Sequence, residues 1–251
     1  MKESIANPHS NACSIKIDEL IPPWKTVFDL AETLPRNSWV LIGGLMVQIY
    51  GRMFAVETRS TRDVDLLIDV LAQKGSASFI IRQIEGLGFT PVPPNFRGGS
   101  FYRLSSECAT VDVFLADHLP RTHKNTFGSS RWSLIETPGG AQAIMRSVPI
   151  NLQSQYRVAH IRIPSILGAV IMKSAVVSPT DPLSEKHLND IAMLSSIMES
   201  VVEQKSLLRG SDLRRIRCAA NILEDPNHPA WLSLPDARRH RGYANLRMLA
   251  S

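Results

Sequence analysis

Apolar and polar positions along the 251 residues follow two rhythms, and the change from one to the other divides the chain. After a polar stretch, taken as a flexible N-terminus over residues 1–20, Pro22-Pro23 leads into Trp24, Val27, Phe28, Ala31 and Leu34, a stripe at helical spacing that Pro35 ends. WVLIGG reads as a short apolar strand closing on Gly43 and Gly44, and LMVQIYGRMF as a helix with Leu45, Met46, Ile49 and Tyr50 on one stripe. STRDVDLLIDV is the next strand, ASFIIRQIEGLGF a helix stopping at Gly86 and Gly88, and TPVPPNFRGGS a loop. SFYRLSS and ATVDVFLAD read as strands that pair as neighbours, whereas residues 118–160 mix the signals and receive no element. PSILGAVIMKSAVV and LSEKHLNDIAMLSSIMESVVEQ are two amphipathic helices, and a third runs near Ser211 to Glu224. The segment with His228-Pro229 and Trp231 reads as a loop and a short helix packing back.

Strands and helices are mixed in the first half and helices dominate the second. The expected class is therefore α+β: a mixed β-sheet domain over residues 21–160, then a helical domain over residues 161–251 with a basic tail. No apolar run reaches the roughly eighteen residues a membrane span needs, and the opening residues lack the apolar core of a signal peptide. Cys13, Cys108 and Cys218 are too scattered for a disulfide framework or a zinc cluster. A cytoplasmic protein with no membrane partner is expected.

The net charge of +5 lies wholly in the last stretch, where nine Lys/Arg face four acids between Lys205 and Ser251. Such a segment suits phosphates or a polyanion such as RNA, though on charge alone a solvated helix surface is the better reading.

The chemistry concentrates at Asp63-Val64-Asp65, followed by Leu66-Leu67-Ile68. On a strand, residues two apart point to one face, roughly 6.5 Å apart, so Asp63, Asp65 and Leu67 share a face. Two carboxylates side by side in so apolar a strand repel each other and are costly to desolvate; a divalent cation resolves both problems. Val111-Asp112-Val113 puts a third carboxylate on an apolar strand, completing the set that two Mg²⁺ ions need for nucleotidyl transfer. Upstream, a strand feeding Gly43-Gly44 and then a helix exposes N–H groups suited to a phosphate.

This order (strand, Gly-Gly, helix, Asp-x-Asp strand, later single Asp) resembles the polymerase-beta-like nucleotidyltransferases, and within them the AbiEii-type toxins of type IV toxin–antitoxin systems and the related MenT-type toxins. The resemblance implies a nucleotidyltransferase-type sheet, with Asp63, Asp65 and Asp112 as metal-binding catalytic acids and Gly43 and Gly44 holding a nucleoside triphosphate. It extends over residues 38–198 to a lysine helix, here with Lys173, and a second helix reading Lys186-His187-Leu188-Asn189-Asp190. Lys173 is implied to reach the triphosphate, with Asp190 near the base, sugar or Lys173; the competing reading is a Lys173–Asp190 bridge joining two helices. The chain departs from the pattern with Gly44 where a serine is common, with eighteen residues between Gly44 and Asp63, and with His187 in place of an acid.

Arg59 and Arg62 flank the acidic strand, Arg59 being read as charge balance for the adjacent acids. Tyr102 and Arg103 read equally as residues lining the site or as core or surface packing of their strand, and His118 and His123 read as solvated loop residues. The leading expectation is a Mg²⁺-dependent enzyme moving a nucleoside monophosphate from a triphosphate to a hydroxyl on tRNA, other RNA or protein, with an antitoxin protein as possible partner. Alternatives are an inactive nucleotide-binding regulatory protein, an antibiotic-modifying nucleotidyltransferase, and an RNA-binding interaction protein.

Overall fold

In the computed structural model, residues 13–70, 76–93, 100–101, 103–118, 133–181 and 183–251 are described. The main sheet is built on three apolar strands, β2 (Trp39–Leu41), β3 (Asp63–Ile68) and β7 (Thr110–Ala116). β3 is central: antiparallel to β2, with Leu41 opposite Leu66, and parallel to β7, with Asp65 opposite Asp112. Val64, Leu66, Leu67 and Ile68 are all fully buried, because the middle of the sheet is covered on both faces. Beyond β7, β6 (Arg103–Ser105) pairs antiparallel with its first half and β8 (Ser133–Thr137) parallel with its second. Two short strands complete the sheet: β4 (Thr90–Pro91) on β6 and β5 (Ser100–Phe101) on β8. The α+β class is as expected, with mixed strand directions, and β6 and β7 pair as the two runs predicted.

α1 (Trp24–Thr33) buries Trp24, Val27, Phe28 and Leu30. α2 (Gly43–Phe54) starts directly behind β2, and the Ile42 N–H donates to the Asp65 carbonyl, which ties the start of the helix to β3. α3 (Ser76–Gly86) ends where its glycines predict.

Residues 118–160, unassigned from sequence, contain β8, α4 (Gly140–Met145), β9 (Ser147–Gln153) and the start of β10 (Val158–Pro164). β9 sits in a second sheet, parallel to β1 (Cys13–Lys16) and antiparallel to β10. The expected flexible segment 1–20 is thus corrected from Cys13 onward: Ile15 and Ile17 are buried, and the pairing with β9 outweighs the polar neighbours. Residues 1–12 lie outside the described residues, as do Tyr102 and His123. The division expected after residue 160 falls inside β10, and one hydrophobic core runs from Ile15 to Leu249.

The helical part opens with α5 (Ile166–Ser174), whose first turn is capped by Ser165 Oγ accepting from the Gly168 N–H. The helix expected over residues 183–204 is two: α6 (Ser184–Ile197) and α7 (Val201–Ser206), separated by extended Met198 and by Ser200 at φ 48°. The break frees the Met198 carbonyl, which accepts from Arg241 Nη2 and Asn245 Nδ2, both at 3.0 Å. α8 (Asp212–Ile222) matches the third predicted helix. The C-terminal region holds α9 (Pro229–Leu232) and then α10 (Asp236–Ala250), fifteen residues long rather than a short helix. Its buried stripe is only Gly242, Leu246 and Leu249, too narrow to stand out among the arginines. Trp231 anchors this end: its Nε1 donates to the Leu223 carbonyl and its ring meets Tyr243 edge-on at 5.8 Å.

Four arginines of the basic segment are held by main-chain oxygens at helix ends, whereas Arg215 binds the Asp117 carboxylate and Arg247 the Tyr243 hydroxyl. Arg238 donates to Phe54 at the end of α2, Arg241 to Met198 after α6, Arg209 to Ser206 and Leu208 around the end of α7, and Arg217 to Ala250 and Ser251 at the end of α10. A cation there satisfies carbonyls that the helix leaves unpaired and complements the helix dipole. No helix among the described residues is long and apolar enough to cross a membrane.

Candidate active site

Asp63 and Asp65 are two apart on β3, so their side chains share a face, and Asp112 is the register partner of Asp65 on parallel β7. Adjacent strands lie about 4.8 Å apart, and paired residues project to the same side. The carboxylates from two strands therefore converge on one face, lining one cleft of about 390 Å³.

Asp65 packs against the turn that starts α2. Gly43 has φ 70°, and a Cβ there would lie 1.7 Å from Asp65 Oδ2, so only glycine leaves room for that carboxylate. The Gly44 N–H donates to Asp65. Beside Gly44 stands Thr61, whose Cγ2 would be 2.9 Å from an added Cβ. Burial pushes the Asp65 carboxyl up to about 6, opposed by Lys173 and the Gly44 N–H and reinforced by Asp112 and Asp63.

Lining the same cleft are the cations Arg59, Arg103, Lys173 and Lys186, with His187 among them. Lys173 is buried in the last turn of α5, with Nζ 2.7 Å from Asp190 Oδ2 on α6. Asp190 also faces Arg59, at 3.4 Å from Nε to Oδ1. The lysine–aspartate bridge between two helices is therefore present, and the same lysine lines the cleft near Asp65. Asp190 stands behind Lys173 and lines, with Arg59, an adjoining cleft of about 380 Å³. Arg59 thus balances an acid 131 positions away rather than its neighbours on β3, a partnership visible only once α6 is packed. His187 is held neutral: burial lowers it to about 4, and Lys173, Lys186 and Arg59 push the same way against Asp190. Its Nδ1 is buried without a hydrogen-bond partner.

Arg103 faces Asp112 across the β6–β7 ladder and grips both of its oxygens, Nε to Oδ1 at 2.8 Å and Nη2 to Oδ2 at 2.7 Å. The sequence marked Arg103 as a residue near the site, but its hold on the third acid follows from strand register.

Among the described residues no group of three or more His, Cys, Asp or Glu is set to hold a metal ion as it stands. The donor chemistry nevertheless suits Mg²⁺, which favours one or two carboxylates supplemented by water and phosphate oxygens. Asp63 and Asp65 could supply them directly, and Asp112 on loosening from Arg103. Carboxylates and cations lining one cleft fit a polyanion carried on a divalent cation better than a free cation or a free anion. A larger cleft of about 570 Å³, between residues 16–20 and 153–156, contains none of the residues selected from sequence.

Compared with known proteins, the chain matches no family model and no curated sequence.

Proposed function

We propose that this chain is a metal-dependent nucleotidyltransferase of the polymerase-beta-like kind, moving a nucleoside monophosphate from a nucleoside triphosphate to a hydroxyl on RNA, such as a tRNA 3′ end, or on protein. The observation that carries the reading is the pairing of Asp65 with Asp112 beside Asp63 on one face, in a cleft that Lys173 and Arg59 also line. Strand β2, the Gly43-Gly44 turn and α2 precede them in the order that the toxin branch of that superfamily has, and an antitoxin protein would then be a partner. Three exposed free cysteines suit a reducing cytoplasm.

In this reading Asp63, Asp65 and Asp112 would hold Mg²⁺, which would offset the repulsion among the acids and supply charge stabilisation to the phosphates. Gly43 and Gly44 let the triphosphate approach the start of α2. Lys173, steadied by Asp190, and Arg59 place positive charge along it. The acceptor oxygen attacks the α-phosphorus, the bond to the β-phosphate oxygen breaks, and pyrophosphate leaves. The proton from the acceptor hydroxyl passes to a cleft carboxylate or to water.

A second reading, an inactive nucleotide-binding regulatory protein, draws on one observation: Arg103 occupies both oxygens of Asp112. An antibiotic-modifying enzyme is disfavoured, because a cationic drug would meet a cleft lined by Arg59, Lys173 and Lys186. The deciding experiment incubates the chain with each labelled triphosphate, Mg²⁺ and total RNA, with Asp65→Ala as control. Label moving to RNA or protein only with intact Asp65 supports transfer. Nucleotide binding with no transfer to RNA, protein or drug favours the regulatory reading.

A further inference from the structure

Resting on the nucleotidyltransferase reading, we infer that Arg103 is a resident counter-cation that competes with divalent metal for Asp112, so that the three-acid site closes only when the guanidinium lets go. Asp112 is the most enclosed of the three acids, with a side chain 6% exposed, whereas Arg103 is 38% exposed at the cleft. The two residues are direct partners across β6 and β7, so the contact follows from register and not from a surface arm folding over. Both carboxylate oxygens are engaged, in a fork geometry that only arginine offers.

The electrostatics give the contact a purpose. Asp65, Asp63 and Asp112 repel one another in a cleft of limited solvation. Lys173 is shared with Asp190, which leaves Arg103 as the cation in direct contact with the third acid. Arginine does not lose its proton in the accessible pH range, so only displacement can free Asp112. A metal that needs an Asp112 oxygen must replace at least one charge-assisted hydrogen bond, and metal affinity falls accordingly. A polyphosphate in the same cleft offers the released guanidinium another bidentate partner, so nucleotide and metal would favour each other's binding through this one side chain.

The test measures Mn²⁺ binding alone, without nucleotide, by calorimetry and by electron paramagnetic resonance, on the full chain and three variants whose folding is checked by melting curves. Arg103→Gln should bind Mn²⁺ about tenfold more tightly than the native chain. Arg103→Lys keeps the charge but loses the fork, protects folding where the glutamine variant does not, and should show a smaller gain. The double variant R103Q/D112N should lose the gain, because the freed carboxylate is its source. Equal or weaker binding in both Arg103 variants overturns the inference, as does a gain that persists without Asp112. If the native chain transfers nucleotide and binds Mn²⁺ while neither Arg103 variant changes affinity, the inference alone falls. If neither the native chain nor folded R103Q binds millimolar Mn²⁺, the transferase reading falls with it.

Discussion

Lys173 Nζ lies 2.7 Å from Asp190 Oδ2, joining α5 to α6 with both side chains almost wholly out of water. Removing one partner of such a pair leaves a charge stranded, a loss of about 3–5 kcal/mol, whereas replacing both with apolar side chains is often close to neutral. Asp190→Asn strands Lys173 and also deprives Arg59 of its partner, so it should destabilise more than Lys173→Met does. In urea unfolding, the double variant K173M/D190L should recover most of the stability of either single change. If Lys173 also contacts the triphosphate, that double variant will remain stable yet bind nucleotide poorly.

Gly43 and Asp65 occupy the same few ångströms. Gly43→Ala would place a Cβ 1.7 Å from Oδ2 and 2.4 Å from Cγ of Asp65, at a backbone φ of 70°. The strain and the displaced carboxylate together should lower stability by more than about 2 kcal/mol and weaken Mn²⁺ binding. Gly44→Ala should be milder, since Thr61 Cγ2 at 2.9 Å is what must move. Melting temperatures and Mn²⁺ titrations of the two variants check the order.

The acidic strand was legible because its chemistry and its period agree: Asp63 and Asp65 share a parity, and the apolar Val64, Leu66 and Ile68 fill the other face. The partners of that strand were not legible. Asp112 could be named from its apolar setting, but its register with Asp65, and Arg103 opposite it, depend on pairings that local pattern does not encode. β10 was missed although its alternation was present, with Ala159, Ile161 and Ile163 buried between more exposed His160 and Arg162. There the mixed signals upstream hid a clean period of two. α10 was misjudged for the opposite reason: it buries so little apolar surface that its helix shows mainly through its packing on α6 and Trp231.

The basic C-terminal segment holds helix ends together, which the charge count alone could not reveal. Arg238→Gln and Arg241→Gln each remove a charged donor from a main-chain carbonyl, at Phe54 and Met198. Each should lower stability by about 1–2 kcal/mol, and together roughly additively because the two carbonyls are separate. If these arginines act only as caps, the salt dependence of any RNA affinity will be unchanged in the double variant while its melting temperature drops. A shallower salt slope would instead make them phosphate contacts.

Acid unfolding should have an upper window, where His187 and Asp65 act with opposite signs, and a lower one set by Asp117 and Asp29. His187 is held near 4 by burial and by Lys173, Lys186 and Arg59, against an unfolded value near 6.5. Between those values the unfolded chain takes up a proton that the folded chain refuses, so the His187 contribution to stability falls as pH drops from about 6.5 toward 4, while Asp65, raised to about 6 by burial, is protonated first in the folded chain and offsets much of that loss below pH 6. Asp117 works lower. Burial pushes its carboxyl up, but the Ala141 and Gly139 N–H groups and the Arg215 guanidinium outweigh it and hold the carboxyl below its ordinary range. Its stabilisation is complete above the unfolded carboxyl value near 3.9 and is lost as pH falls from there through the depressed folded value. Asp29 adds to the same lower stage: burial raises it, and Lys25 and Arg157 more than compensate. His187→Gln should therefore remove the upper loss, leaving the Asp65 gain unopposed there, and leave the lower stage unchanged, while Asp117→Asn should flatten part of the lower stage and leave the upper. Urea midpoints at pH 7, 5 and 3 separate the two, and an H187Q chain that weakens between pH 7 and 5 as steeply as the native one would show that some other group governs that window.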